Sequence, residues 1–114
     1  MALPWVDFVW TIKRWLSLYP LDAISNLPIS IKTADYVILD TDYYLVANST
    51  SPLTFTMPSA ADSTGRVLKF KNRGTSNLTV VGTVFSTQVI TSITMVTGDM
   101  ATLTSDGTYW NVGD

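Results

Sequence analysis

From Ile29 onward, hydrophobic residues alternate with polar ones in short runs, and this period of two restricts the chain to β-strands. Leu53-Thr54-Phe55-Thr56-Met57 is the clearest run, with a threonine between successive hydrophobic residues. The 114 residues include seventeen threonines, which favour strands. All nine acidic residues are aspartate, which prefers turns, and glutamate, a good helix former, does not occur. The sequence therefore predicts a mainly β protein.

Turn-forming residues separate the runs at short, even intervals, which is typical of a small sandwich or barrel. We therefore predict a small antiparallel β-sandwich or barrel module over residues 29–114. The predicted strands are residues 29–32, 36–39, 43–46, 53–57, 67–71, 78–81, 84–90, 93–96, 100–103 and 109–112. The predicted turns include residues 58–65, with one helical turn among them, and Gly82.

The last two runs are joined by Asp106-Gly107, a strong signal for a β-hairpin. Aspartate and glycine both tolerate the positive φ angles of a type I′ turn, which is the turn we expect here. Trp110 follows this turn, and its large side chain is expected to cover one end of the core.

Residues 1–28 follow a different pattern and form a separate region. Their hydrophobic residues recur at helical spacing, Pro4 suits a first helical turn and Pro20 ends the pattern. We predict an N-terminal amphipathic helix or arm, followed by an irregular connector. Its hydrophobic stripe is the predicted partner-binding site, formed by Trp5, Phe8, Val9, Trp10, Ile12, Trp15, Leu16 and Tyr19.

Three kinds of surface could receive this stripe. It could pack on the chain's own β-domain or on the same helix of another copy. It could dock into a different protein, because tryptophan and tyrosine are favoured anchors of buried interfaces. It could also lie on a membrane surface, although Lys13 and Arg14 are few charges for that purpose.

Composition argues against several classes of function. The absence of histidine and cysteine removes the commonest general base, thiol nucleophiles and zinc sites built from these residues. A net charge of −2 without a basic cluster argues against nucleic-acid binding. No run is long enough to span a membrane, and no signal peptide is recognisable. We therefore predict a non-enzymatic protein made in the cytosol, with no catalytic residues, cofactor or metal, and no nucleic-acid or membrane partner.

Two small groups of charged residues remain. Asp40 and Asp42 could contribute to a cation site, but their spacing fits no calcium loop, and two aspartates beside a turn are usually solvated. Lys69, Lys71 and Arg73 form a small basic group, which we interpret as a solvated strand face or a contact between subunits.

Four stretches occur in a characteristic order: Tyr36-Val37-Ile38-Leu39-Asp40, Leu53-Thr54-Phe55-Thr56-Met57-Pro58-Ser59-Ala60, Gly65-Arg66-Val67-Leu68-Lys69-Phe70-Lys71-Asn72 and Ser105-Asp106-Gly107-Thr108-Tyr109-Trp110. Together they resemble a small β-module that recurs in fibre and decoration proteins of tailed bacteriophages. In that family, alternating threonines lead to Leu-Pro, Gly-Arg or Gly-Lys opens the next strand, and Ser-Asp-Gly-Thr-x-Trp closes the module. Met57 replaces the usual leucine here.

This resemblance implies a structural protein of a virion, made in the bacterial host cytoplasm and usually a homotrimer. A trimer would also account for a charged fraction of only 14%, because its interfaces bury surface that a monomer exposes. The leading hypothesis is a capsid decoration (cement) protein or short head fibre. Its N-terminal segment would attach it to the major capsid protein or another virion protein, because 114 residues leave room for one anchor and one module.

Two other functions stay open at this point. The chain could be a tail fibre or adhesin module that binds host-surface carbohydrate, with Tyr43, Tyr44 and Tyr109 as candidate binding residues. It could also be an assembly factor that is absent from the mature particle.

Overall fold

The computed structural model of this chain describes residues 27–113, which form nine strands and one turn of 3-10 helix. The prediction of a mainly β domain is confirmed in this range. The 3-10 turn, Ala61–Ser63, lies in the loop where the sequence predicts one helical turn. The strands are β1 (Ile29–Lys32), β2 (Tyr36–Val37), β3 (Tyr44–Ala47), β4 (Leu53–Thr56), β5 (Val67–Asn72), β6 (Leu78–Phe85), β7 (Val89–Met95), β8 (Met100–Ser105) and β9 (Trp110–Gly113).

The strands form one continuous sheet in the order β1-β3-β5-β8-β9-β6-β4-β2, and β7 pairs with the other edge of β6. We call β1, β3, β5, β8 and β9 the first half and β2, β4, β6 and β7 the second half. A short pairing of β6 with β9 joins the halves. The two ends of the order, β1 and β2, are separated in sequence by residues 33–35 only. The sheet is therefore nearly closed, like a barrel.

From β1 to β6, consecutive strands alternate between the two halves. The chain thus returns to each half in the same direction, and β1-β3-β5 and β2-β4-β6 are parallel. The antiparallel pairings are β5 with β8, β6 with β7, and β8 with β9. The predicted antiparallel arrangement is therefore wrong for β1 to β6. A period of two indicates a strand but does not specify the direction of its neighbours.

Inward-facing side chains from both halves form a single hydrophobic core. In β4, Leu53 and Phe55 are buried and the intervening threonines are exposed. The ring of Phe55 lies 6.4 Å from that of Phe70 on β5, so the core joins the two halves. Trp110 is fully buried among these residues. The other core residues are Ile38, Leu45, Ala47, Met57, Ala60, Leu68, Leu78, Val80, Val84, Met95, Ala101 and Leu103.

The β6–β7 hairpin differs from the prediction at two points. Gly82 does not end a strand, because β6 continues through it with a shift of register between Val81 and Val84. A Cβ atom at Gly82 would lie 2.8 Å from Cε of Met57, so glycine here leaves room for a core side chain. Residues 84–90 are not one strand, because Phe85 pairs with Val89 across a tight turn. That turn, Ser86-Thr87-Gln88, contains no glycine, proline or asparagine to signal it.

The closing hairpin is present, with Ser105 opposite Trp110. Its turn is not type I′, because Gly107 has a φ of 93° but no non-glycine residue within 27–113 has a positive φ. Instead, the carboxylate of Asp106 accepts hydrogen bonds from the backbone N–H groups of Thr108 and Tyr109, both at 2.8 Å. The side chain of Asp106 therefore organises the turn.

Candidate functional site

The predicted partner-binding stripe lies outside the described residues. This applies to the whole set of Trp5, Phe8, Val9, Trp10, Ile12, Trp15, Leu16 and Tyr19, and to the predicted N-terminal helix. The described residues begin at Leu27, at the end of the predicted connector. The stripe stays a prediction from sequence.

An apolar strip covers the outer face of the first half near β1. Ile29 and Ile31 are 61% and 53% exposed. Ile31 lies beside Val46, which is buried yet lies on the opposite face of β3 from the core residues Leu45 and Ala47. The outer strip consists of Ile29, Ile31, Tyr44 and Val46, and Met100 lies on the same face beyond Lys71. The sequence predicts β1 as a strand, but its unpaired edge becomes apparent only from the sheet order.

Lys69 and Lys71 lie on this same outer face, because they are paired with Tyr44 and Val46 of β3. The ammonium group of Lys71 donates a hydrogen bond to the carbonyl of Gly98 at 2.8 Å, which fastens the turn between β7 and β8. Arg73 is exposed beyond the end of β5. The basic group therefore has at least one structural contact, and two of its members, Lys69 and Lys71, lie half-buried on a strand face.

A shallow polar cavity of about 430 Å³ lies where the loop before β3 meets the 3-10 turn. Its lining includes Asp40, Asp62 and Arg66. The guanidinium group of Arg66 donates hydrogen bonds to the carbonyls of Leu39 and Asp42 and so holds that loop. Arg66 thus has a structural role at the edge of this cavity.

Asp42 is engaged in local hydrogen bonds. One of its carboxylate oxygens, Oδ2, accepts hydrogen bonds from the Tyr36 hydroxyl at 2.6 Å and the Leu39 N–H at 2.8 Å. The hydrogen bond from the Tyr36 hydroxyl to Asp42 is the main reason that the pKa of Tyr36 is raised above its usual 10.0. Desolvation of the hydroxyl and the negative charge of Asp42 act in the same direction. Within residues 27–113, no group of three or more potential metal-binding side chains is present.

A cluster of polar and aromatic side chains surrounds the closing turn. The rings of Phe85 and Tyr109 are 5.8 Å apart, and the side-chain amide of Asn111 donates a hydrogen bond to Asp106 at 2.9 Å. That bond, followed by those from the N–H groups of Tyr109 and Thr108, lowers the pKa of Asp106 below its usual 3.8. We call Phe85, Asp106, Tyr109 and Asn111 the closing-turn cluster. The sequence identifies Tyr109, whereas Phe85 approaches it only through the β6–β9 pairing.

The other two candidate tyrosines lie on or beside β3. Tyr44 belongs to the outer strip, and the carbonyl of Tyr43 accepts a hydrogen bond from the N–H of Lys69 at 2.8 Å. Tyr43 and Tyr44 are therefore in the first half of the sheet, while Tyr109 lies at the closing turn where the halves join.

Comparisons with protein-family models, with curated proteins and with solved structures give no match for this chain. Over residues 27–113, the structure contains no helix with the length and hydrophobicity needed to cross a bilayer.

Proposed function

We propose that this chain is a structural protein of a tailed-phage virion, made in the bacterial host cytoplasm. It acts as a trimeric capsid decoration protein or short head fibre, and its partners are further copies of itself and the major capsid protein or another virion protein. The predicted Trp-rich stripe of residues 1–28 is the attachment site, and the β-module is the part carried by that anchor.

The observation that carries this proposal is that three separate stretches of the phage-module resemblance meet in space. Ser105, from the closing stretch, donates a side-chain hydrogen bond to the carbonyl of Ala60 at 2.6 Å. The backbone carbonyl of Ser105 accepts a hydrogen bond from the N–H of Gly65 at 2.8 Å. The N–H of Ser105 donates a hydrogen bond to the carbonyl of Arg66 at 3.0 Å. The indole N–H of Trp110 donates to Pro58 at 2.9 Å.

These contacts supply a physical reason for the stretches to occur together. One hydrogen-bonded seam joins three segments: Pro58-Ser59-Ala60, Gly65-Arg66 at the opening of β5, and Ser105 to Trp110. A set of residues that must fit together in this way supports reading the resemblance as the signature of one module. The residues of the seam build the fold and leave partner binding to other surfaces.

Incorporation into particles tests the attachment site. A variant that lacks residues 1–20 is compared with the full chain and with the matched substitution Tyr109→Ala, which alters the closing-turn cluster instead. We expect the truncated protein to keep the circular dichroism spectrum of a β-module and to be absent from purified particles, while Tyr109→Ala is incorporated normally. Normal incorporation of the truncated protein would show that the anchor lies elsewhere.

The closing-turn cluster supports an alternative function, a tail fibre or adhesin module that binds host-surface carbohydrate. Phe85 is 37% exposed and lies beside Tyr109, next to the side chains of Asp106 and Asn111. Aromatic faces with neighbouring amide and carboxylate groups suit the apolar faces and hydroxyls of a sugar. Under this alternative, the purified protein binds host cells and Tyr109→Ala abolishes binding. Binding no stronger than that of an unrelated β-protein would exclude it.

A further inference from the structure

Strand β1 has one edge that no other strand within residues 27–113 occupies. Its pairing with β3 uses the carbonyls of Pro28 and Lys32, which accept hydrogen bonds from Tyr44 at 3.2 Å and Asn48 at 2.9 Å. Because backbone groups of successive residues point to opposite edges of a strand, those of Ile29 and Ile31 point away from β3. The free edge therefore offers the N–H and C=O groups of two isoleucines.

The usual features that protect an edge strand are turned away from this edge. Pro28 lacks an N–H, but its position in the ladder faces β3, so it removes no donor from the free edge. Lys32 is the charged residue of β1, and its ammonium group lies 3.9 Å from the centre of the Tyr36 ring. The lysine side chain is thus directed toward β2. The side chains next to the free edge are those of Ile29 and Ile31, which are both more than half exposed.

The other two edge strands are less suited to binding a strand. β2 contains only two residues. β7 has seven residues, but its exposed positions are Val89, Thr91 and Thr94, and its isoleucines, Ile90 and Ile93, pack partly against the core. Among these three edge strands, β1 is therefore the one with two exposed isoleucines on the same face.

We propose that the free edge of β1 binds β1 of a second copy of this chain, antiparallel and across a twofold axis. In the register that places Ser30 opposite the second copy's Ser30, Ile29 lies opposite the second copy's Ile31. The backbone groups of both isoleucines already point to this edge, so each such pair exchanges two hydrogen bonds. The edge is self-complementary, because both cross-strand pairs on the outer face join isoleucine to isoleucine and no charge opposes them. This contact does not depend on the proposed function, and a threefold assembly would use a different surface.

Charge substitutions in the full chain test both the edge and the register. Ile29→Lys/Ile31→Lys and Ile29→Asp/Ile31→Asp place like charges opposite each other, which disfavours the pairing. Ile29→Lys/Ile31→Asp instead places lysine opposite aspartate in both pairs. The matched control is Val37→Lys/Leu39→Lys, which alters side chains that are 67% and 57% exposed near β2. Sedimentation velocity over a range of concentrations measures association, and circular dichroism confirms folding.

We expect the wild type and the control to associate in multiples of two. For each like-charge variant, we expect a dissociation constant about tenfold or more above that of the wild type. Ile29→Lys/Ile31→Asp should associate again. A wild-type chain that remains a monomer at about 100 μM, a concentration at which a contact of micromolar affinity is largely occupied, would overturn the proposal. So would association that is unchanged in both like-charge variants.

A crosslink tests the same register without altering the isoleucines. The chain has no cysteine, so a single introduced thiol is unique. At the twofold axis, the two copies of residue 30 form a non-hydrogen-bonded pair, whose spacing fits a disulfide. Under mild oxidation, Ser30→Cys should form a covalent dimer, and Thr91→Cys on the edge of β7 should stay monomeric. If the Thr91→Cys variant forms a covalent dimer and the Ser30→Cys variant does not, self-association belongs to β7 and the proposal is overturned.

Discussion

The indole nitrogen of Trp110 lies 2.9 Å from the carbonyl oxygen of Pro58, to which it donates a hydrogen bond across 52 residues of sequence. Trp110 begins β9, and Pro58 follows the end of β4. Because the side chain of Trp110 is fully buried, its N–H would have no access to water if this acceptor were removed. The bond therefore fastens the closing hairpin to the second half of the sheet.

Replacing Trp110 by phenylalanine should destabilise the protein by about 2–4 kcal/mol, because it leaves a cavity and an unpaired carbonyl. Denaturant unfolding followed by circular dichroism measures the change. Tyr109→Phe, at the half-buried neighbouring position, is the control and should stay within about 0.5 kcal/mol of wild type. Equal stability of the two variants would contradict this role of Trp110.

Gly74 should not tolerate a side chain. A Cβ atom there would lie 2.4 Å from the carbonyl oxygen of Ser49 and 2.6 Å from its nitrogen, and both are backbone atoms. We expect Gly74→Ala to cost about 1–3 kcal/mol of unfolding free energy, because the loop before β4 must move. Gly113→Ala is the matched control, since its Cβ atom would meet its nearest neighbour at an ordinary 3.7 Å. Equal unfolding midpoints for the two variants would show that the loop yields without cost.

The stability of the fold should require an amide, and not a carboxylate, at position 72. Asn72 is only 1% exposed, and its side-chain nitrogen donates hydrogen bonds to the carbonyls of Ser76 and Met95, both at 2.8 Å. Asn72→Asp places a carboxylate oxygen against these carbonyls and should cost about 3 kcal/mol or more at neutral pH. The exposed Asn77→Asp is the control, with a change within about 0.5 kcal/mol. Thermal and denaturant unfolding at pH 7 measure both variants, and a tolerated Asn72→Asp would contradict the arrangement.

Stability should fall in acid partly through Asp106. The hydrogen bond from Asn111 and those from the backbone lower the folded-state pKa of Asp106 below its usual 3.8. A carboxylate with a lowered pKa contributes stability above the unfolded-state pKa and loses that contribution as the pH falls through the folded-state pKa. Asp106→Asn should therefore lose less stability than wild type between about pH 4 and pH 2, the range below the usual carboxyl pKa. Parallel curves of unfolding free energy against pH would exclude this contribution.

The sequence predicts where most strands lie, because a period of two is local and is clear in segments such as Leu53 to Thr56. It also predicts the closing hairpin, because Asp106-Gly107 is itself a turn signal. It does not predict the parallel pairings of β1 to β6, which depend on the alternation of strands between the two halves of the sheet. Gly82 indicates a turn by its residue type, yet its actual role depends on the distant side chain of Met57.

The candidate sites divide in the same way. Tyr109 can be selected from sequence as an aromatic residue beside a turn, but its partner Phe85 comes from another strand. The free edge of β1 is likewise invisible in the sequence, because Ile29 and Ile31 alternate as they would in a fully paired strand. The predicted stripe of residues 1–28 lies outside the described residues, so the attachment site stays a prediction.

We propose that this chain is a component of a phage capsid, and its copy number in purified particles is the decisive test of that proposal. Quantitative mass spectrometry can compare peptides of residues 27–113 with peptides of the major capsid protein in the same particles. We expect a copy number of the same order as that of the capsid subunits. Absence from the particles, or a copy number at the level of a tail appendage, would contradict it.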